Sequence, residues 1–164
     1  MFDLNGFKDL TQKQKYENMI LFLKGQLSGE TDLISNLSNA VAIINAMTDN
    51  INWVGVYFLK NEELVLGPFQ GMPACNRIQV GKGVCGTAVV SKNIQRVDDV
   101  HKFKGHIACD SQTNSELVIP IIKDNIVLGV LDIDSMKFGR FKEEEEIYFK
   151  KFVSILISDM NWGI

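Results

Sequence analysis

The sequence is short of the features that define several protein classes. No apolar run approaches the roughly 20 residues that span a bilayer. The opening MFDLNGFKDL has no basic stretch leading into an apolar segment, so no secretory signal is predicted. There is no basic block either: 17 Lys and Arg are spread along the chain against 20 Asp and Glu, for a net charge of −3. Nucleic acid and anionic membrane therefore find no electrostatic footprint. Proline is down to three residues and forms no linker, and no repeat or low-complexity stretch is present. The three cysteines, Cys75, Cys85 and Cys109, form no Cys-x-x-Cys knuckle, which argues against structural zinc. The chain is expected to be cytoplasmic, where thiols stay reduced, so a static disulfide framework is not expected.

What is present suits one domain spanning residues 1–164. At 164 residues and 46% hydrophobic, the chain can bury a core without disulfides or metal. Thr11 and Gln14 have capping-box spacing, and Tyr16, Met19, Ile20, Leu23 and Leu27 follow at helical spacing. A second helix is predicted from Thr31, with Leu33, Leu37, Ala40, Val41, Ile44 and Met47 on one face, ending at Asp49-Asn50. Trp53–Leu59 and Leu64–Phe69 read as a hairpin turning at Lys60-Asn61-Glu62, and Val118–Ile122 with Ile126–Ile133 as another turning at Asp124-Asn125. Between them, Gly83–Ser91 reads as a short helix in an otherwise irregular middle. A last helix runs from Lys142 to Met160, its glutamates Glu143–Glu146 suiting the positive end of the helix dipole. The order helix, helix, hairpin, hairpin, helix predicts an α+β fold: a central antiparallel sheet with two N-terminal helices and one C-terminal helix packed on it.

Chemistry is carried by the cysteines and by a set of acids. Cys75, Cys85 and Cys109 lie in GMPACNR, GKGVCGTA and HIACDSQT, stretches rich in glycine, proline or polar residues rather than apolar stripes. That context allows redox work as readily as packing. His101, His106 and Cys109 form only a weak metal pattern, and no metal is expected. In VLDIDS, strand alternation puts Asp132 and Asp134 on one face and Leu131 and Ile133 on the other. Glu116 opens the preceding strand and can lie beside them. Close-set buried carboxyls raise each other's pKa, and one left protonated becomes a proton donor. Asp132 and Asp134 also form an acceptor for an ammonium group. Trp53 and Tyr57, four apart on a strand, share a face that can hold a thioether-like methyl. The polar, glycine-bearing segment 71–82 is the expected place for a loop that closes over a ligand.

The combination WVGVYF, LGPFQGMPAC, GKGVCGTA, HIACDSQTNSELVIPI and GVLDIDS resembles the free methionine-R-sulfoxide reductases, single GAF-type domains. That resemblance implies Cys109 as nucleophile, Cys75 and Cys85 as resolving candidates, and Glu116, Asp132 and Asp134 as substrate-binding acids. It implies Trp53 and Tyr57 as the aromatic wall. It further implies a homodimer without cofactor, acting on free methionine sulfoxide and recycled by thioredoxin or a similar dithiol. Glu116 is the expected donor of the proton that lets the sulfoxide oxygen leave. The rival expectations are a GAF module that binds a small molecule without chemistry, and a thiol redox sensor.

Overall fold

The computed structural model describes residues 7, 9–107 and 109–163; the reading of the N-terminus as free of a signal falls largely outside them. Helix α1 (Gln12–Leu27) starts where the sequence places it. The Thr11 hydroxyl accepts from the Gln14 N–H at 3.3 Å, and the Gln14 side chain accepts from the Thr11 N–H at 3.0 Å. A reciprocal cap of this kind is worth about 1 kcal/mol. The buried residues of α1 are the five of the predicted stripe. Helix α2 (Leu33–Met47) is capped by Asp32, one residue later than Thr31, because the Asp32 carboxylate reaches the Ser35 N–H at 2.7 Å. Glu30 takes up the N–H groups of Thr31 and Asp32.

Strands β1 (Trp53–Lys60) and β2 (Glu63–Gln70) form the first hairpin. A short β3 (Arg77–Gln79), helix α3 (Gly83–Ser91) and a short β4 (Gln95–Val97) follow, then a single 3-10 turn at Val100–Lys102. The second hairpin is β5 (Ser115–Lys123) and β6 (Ile126–Ser135), and α4 (Glu143–Asp159) closes the order. Both hairpins turn on two residues with positive φ, Asn61-Glu62 and Asp124-Asn125. That is the turn geometry whose twist matches paired strands. The middle of the chain is therefore more ordered than its composition predicts. Strands β3 and β4 escaped the sequence reading because three residues are too few to show alternation.

The six strands run in the order β3-β2-β1-β6-β5-β4 with every pairing antiparallel. The two hairpins are joined through β1 and β6, which places their central strands in the middle of the sheet. Alternation then gives the sheet two different faces. Val54, Val56, Leu117, Ile119, Leu131 and Ile133 pack with α1, α2 and α4 into the larger core. Trp53, Tyr57, Val118 and Val130 face the other way, under α3. The acidic start of α4 is structural. Buried Glu145 accepts from the Lys142 N–H, from the Tyr16 hydroxyl and from the Arg140 guanidinium, tying the helix end to α1. Among the described residues no helix is long and apolar enough to cross a membrane.

Gly55 controls how the second face is built. A Cβ there would stand 2.3 Å from the Trp53 indole and 2.7 Å from the Phe69 Cβ, so the indole lies across the glycine. Gly55→Ala is expected to push the indole off this face and to cost about 1–3 kcal/mol, as overpacking does. Urea denaturation checks this; wild-type stability in the variant would show that the indole does not depend on that space.

Candidate active site

Sheet register brings the acids together. Across β1, β6 and β5, Trp53 stands opposite Asp134, and Asp134 opposite Glu116; in the next row on that face Gly55 stands opposite Asp132, and Asp132 opposite Val118. Directly opposed residues on one face have Cβ atoms about 5 Å apart. Three carboxyls and an indole therefore share one patch, and the missing side chain of Gly55 lets the indole lie across this face. Glu116 and Asp132 are each only 6% exposed, while Asp134 is half-buried.

Helix α3 covers the patch. Cys85, in its first turn, is 3% exposed, and its Sγ lies 3.9 Å from Glu116 Oε1. The structure corrects the reading of Cys85 as lying off any apolar surface. It packs with Val84, Ala88 and Val89 in the smaller core, because helical spacing turns those four inward from a sequence whose glycines disguise the stripe. Asp132 Oδ1 is buried and has no hydrogen-bond partner.

The roof comes from two irregular segments. Residues 71–82 carry Pro73, Ala74 and Cys75, and the loop before β5 carries His106, Ile107, Cys109 and Asp110. A disulfide between Cys75 and Cys109 joins them and leaves Cys85 as a free, buried thiol. The walls hold the roof as well. The Tyr57 hydroxyl donates to the Cys75 carbonyl at 3.0 Å, and the Trp53 indole N–H donates to the Met72 carbonyl at 3.1 Å. The two rings are stacked with centroids 5.9 Å apart. Seven of the eight residues singled out in the sequence line this one cavity, and Cys75 is bonded at its edge. The recess takes in about 530 Å³ of space free of atoms, its open mouth included.

Asn52 and Thr113 were not singled out from sequence. The Asn52 amide donates to Asp110 Oδ2 at 3.0 Å and to the Thr113 hydroxyl at 3.3 Å, and the Gln112 N–H donates to Asp110 Oδ1 at 2.9 Å. Asp110, next to Cys109, is thereby engaged in organising its own loop. No sequence signal marks Asn52, which meets Asp110 only through a contact 58 residues away in the chain. The trio His101, His106 and Cys109 does not form a metal site. His101 bonds Asn114 at 2.8 Å, and Cys109 is in the disulfide.

Electrostatically the cavity is unusual in having acids without cations. No Lys or Arg lines it among the described residues, and His106 is its one basic side chain. Burial, then the charges of Asp132 and Asp134, hold the Glu116 carboxyl well above the usual range. Burial raises Asp132 to about 6. Burial and the Asp132 charge push Asp134 well up, while a hydrogen bond from Thr113 pulls it back. Burial and the charges of Asp132 and Glu116 keep Cys85 protonated. Burial, followed by the charge of His101, lowers His106, so its imidazole is neutral near pH 7. The cavity thus gathers carboxyls whose pKa values are raised, a neutral imidazole, an unsatisfied acceptor and a disulfide-bonded cysteine pair.

Comparisons with known proteins agree on one family. The GAF domain model matches residues 28–158. The chain is 51% identical over 130 residues to the free methionine-R-sulfoxide reductase of Escherichia coli (strain K12), covering 79% of this chain and 79% of that one. Structures of two relatives holding substrate superpose on it. The fRMsr of Staphylococcus aureus does so with a TM-score of 0.84 at 46% identity, over 88% of this chain and 94% of that one. The free methionine-R-sulfoxide reductase of Neisseria meningitidis does so with a TM-score of 0.89 at 35% identity, over 93% and 92%.

The buried acids make stability depend on pH with a definite sign. Asp132 titrates near 6 when folded and near 3.9 when unfolded, so between these values the folded state holds the extra proton. Its contribution is fully present below the unfolded pKa and is lost as pH rises through about 6, a loss on the order of 3 kcal/mol. Asp132→Asn is expected to flatten the decline between pH 4 and pH 7 and to be the more stable form at pH 8. Equal pH slopes in urea denaturation of the two proteins would contradict this.

Proposed function

The chain belongs to the free methionine-R-sulfoxide reductases, oxidoreductases built on a GAF domain, and from that premise we propose that it reduces free L-methionine-(R)-S-oxide to methionine with Cys109 as nucleophile. The observation that carries this reading is the meeting, at one cavity, of Cys109, its disulfide partner Cys75 at the edge and the buried Glu116 carboxyl, whose pKa burial and the neighbouring acids raise. The choice of the R epimer rests on the names of the relatives.

In the reduced enzyme His106 is the acceptor for the Cys109 proton. The substrate ammonium binds Asp132 and Asp134, for which the unpartnered Asp132 Oδ1 is a ready acceptor. The sulfur-bound methyl lies against Trp53 and Tyr57. The Cys109 thiolate bonds to the sulfoxide sulfur while its oxygen takes the Glu116 proton, since oxide itself is too poor a leaving group. Hydroxyl passes to the Cys109 sulfur and methionine departs. The sulfoxide has gained two electrons, and Cys109 has lost two as a sulfenic acid. The Cys75 thiol then attacks the Cys109 sulfur, water leaves, and the disulfide forms. The proton gained by His106 equals the one given by Glu116, so its transfer resets the site.

An external dithiol, thioredoxin or one like it, reduces the disulfide at the expense of its own oxidation. Cys75 and Cys109, both partly exposed, are where it must reach. The setting is a reducing cytoplasm and the assembly a homodimer. Exposed Leu21, Ile34 and Ile147 on α1, α2 and α4 support the dimer by giving that helical layer apolar surface.

A thioredoxin-coupled assay with the two pure epimers tests the reading, and turnover of neither would overturn it. Cys109→Ser is expected to lose activity by about a thousandfold or more, while Glu116→Gln lowers kcat by roughly 10²–10⁴ and spares binding. Cys75→Ser should release about one methionine per subunit and accumulate sulfenic acid. Sustained turnover in Cys75→Ser with thioredoxin would place the resolving thiol elsewhere.

A further inference from the structure

Cys85 takes no part in the disulfide, yet it is the thiol most tightly bound into the acid cluster. Its Sγ and carboxylate oxygens of Glu116 and Asp132 all lie within 4.8 Å of one another, and Sγ is 3.9 Å from Glu116 Oε1. All three residues are more than nine-tenths buried. Asp132 Oδ1 faces this space without a donor. The cavity supplies no Lys or Arg among the described residues to satisfy it.

A tetrahedral ion with metal–sulfur and metal–oxygen distances of about 2.3 and 2.0 Å holds its ligands roughly 3.3–3.6 Å apart. A contraction of about 1.5 Å or less closes these three groups around such an ion. Two carboxylates alone suit magnesium or calcium, which demand more oxygen ligands than are present here. The thiolate shifts preference to borderline-soft ions.

We propose that Cys85, Glu116 and Asp132 form a binding site for a thiophilic divalent cation of the zinc class, and that the bound ion occupies Asp132, one of the two acids that the substrate ammonium would use. Binding exchanges the Cys85 proton, and any proton held by the two carboxyls, for the ion; no electron moves. The fourth position faces the cavity and is left to water. Because Cys85 stays free when Cys75 and Cys109 are joined, the site exists in the oxidised protein as well. Competition with substrate rests on the reductase reading, whereas binding of the ion is scored without substrate or turnover.

The test uses the intact chain with the Cys75–Cys109 disulfide closed, so that Cys85 is the only thiol. Titration with Co²⁺ alone is expected to saturate at one equivalent with a thiolate-to-cobalt charge-transfer band, which one equivalent of Zn²⁺ then abolishes. Cys85→Ser should lose the band, and Asp132→Asn should weaken binding at least tenfold, each variant checked for folding by circular dichroism. No thiolate band in the folded wild-type protein overturns the proposal, even if either variant fails to fold. A band that persists in folded Cys85→Ser overturns it too. In the coupled assay, Zn²⁺ should raise the KM for free methionine sulfoxide, and a chelator should restore it. An unchanged KM at a Zn²⁺ concentration that fills the site would refute the competition.

Discussion

Three carboxyl groups held against one another on a buried sheet face are the constraint around which this molecule is organised. Moving an ionised carboxylate out of water costs several kcal/mol after relaxation. Glu116, Asp132 and Asp134 meet in a cavity that offers no Lys or Arg among the described residues. Such groups respond by keeping protons, and all three are shifted upward. They cannot relax by turning away, because strand register fixes them. A slip of one residue would send Asp132 and Asp134 into the apolar core and Leu131 and Ile133 into the cavity. The larger core therefore enforces the strained one.

Everything else about the site follows from giving those acids a roof and a small empty volume. Gly55 makes room for the Trp53 indole, which lies across it and provides a wall. Tyr57 and Trp53 each donate a hydrogen bond to the segment that carries Cys75, so the aromatic wall and the redox roof are mechanically joined. Asn52 and Thr113 hold the other roof segment through Asp110. The Cys75–Cys109 bond thus joins segments anchored to the floor rather than free loops. The acid beside Cys109 contributes to that anchoring, and the proton for chemistry is assigned to Glu116, from the floor.

The elements with strong periodicity were legible in the sequence. The stripe of α1, the cap at Thr11 and both hairpin turns are local, each specified by residues within a few positions. The pairing of Asp132 with Asp134 followed from strand alternation, and Glu116 joined them because a hairpin must place its strands side by side. Strands β3 and β4 were not legible, being too short to alternate. The buried side of α3 was hidden for another reason: its glycines dilute the apolar stripe, and one of them, Gly86, packs closely against the Gln79–Gly81 backbone. The choice of Cys75 over Cys85 as the partner of Cys109 depends on two irregular segments meeting across the cavity. No local pattern encodes that meeting.

The central claim is that a carboxyl of this cavity remains protonated at neutral pH, ready to donate. Carbon-13 NMR of the reduced protein, labelled at the Asp and Glu carboxyl carbons and assigned through Glu116→Gln, Asp132→Asn and Asp134→Asn, measures it directly. The account predicts that Glu116 titrates well above the ordinary carboxylate range, with its resonance still that of the acid at pH 7. If all three carboxyls titrate below about pH 5, in the range of exposed acids, the account is contradicted.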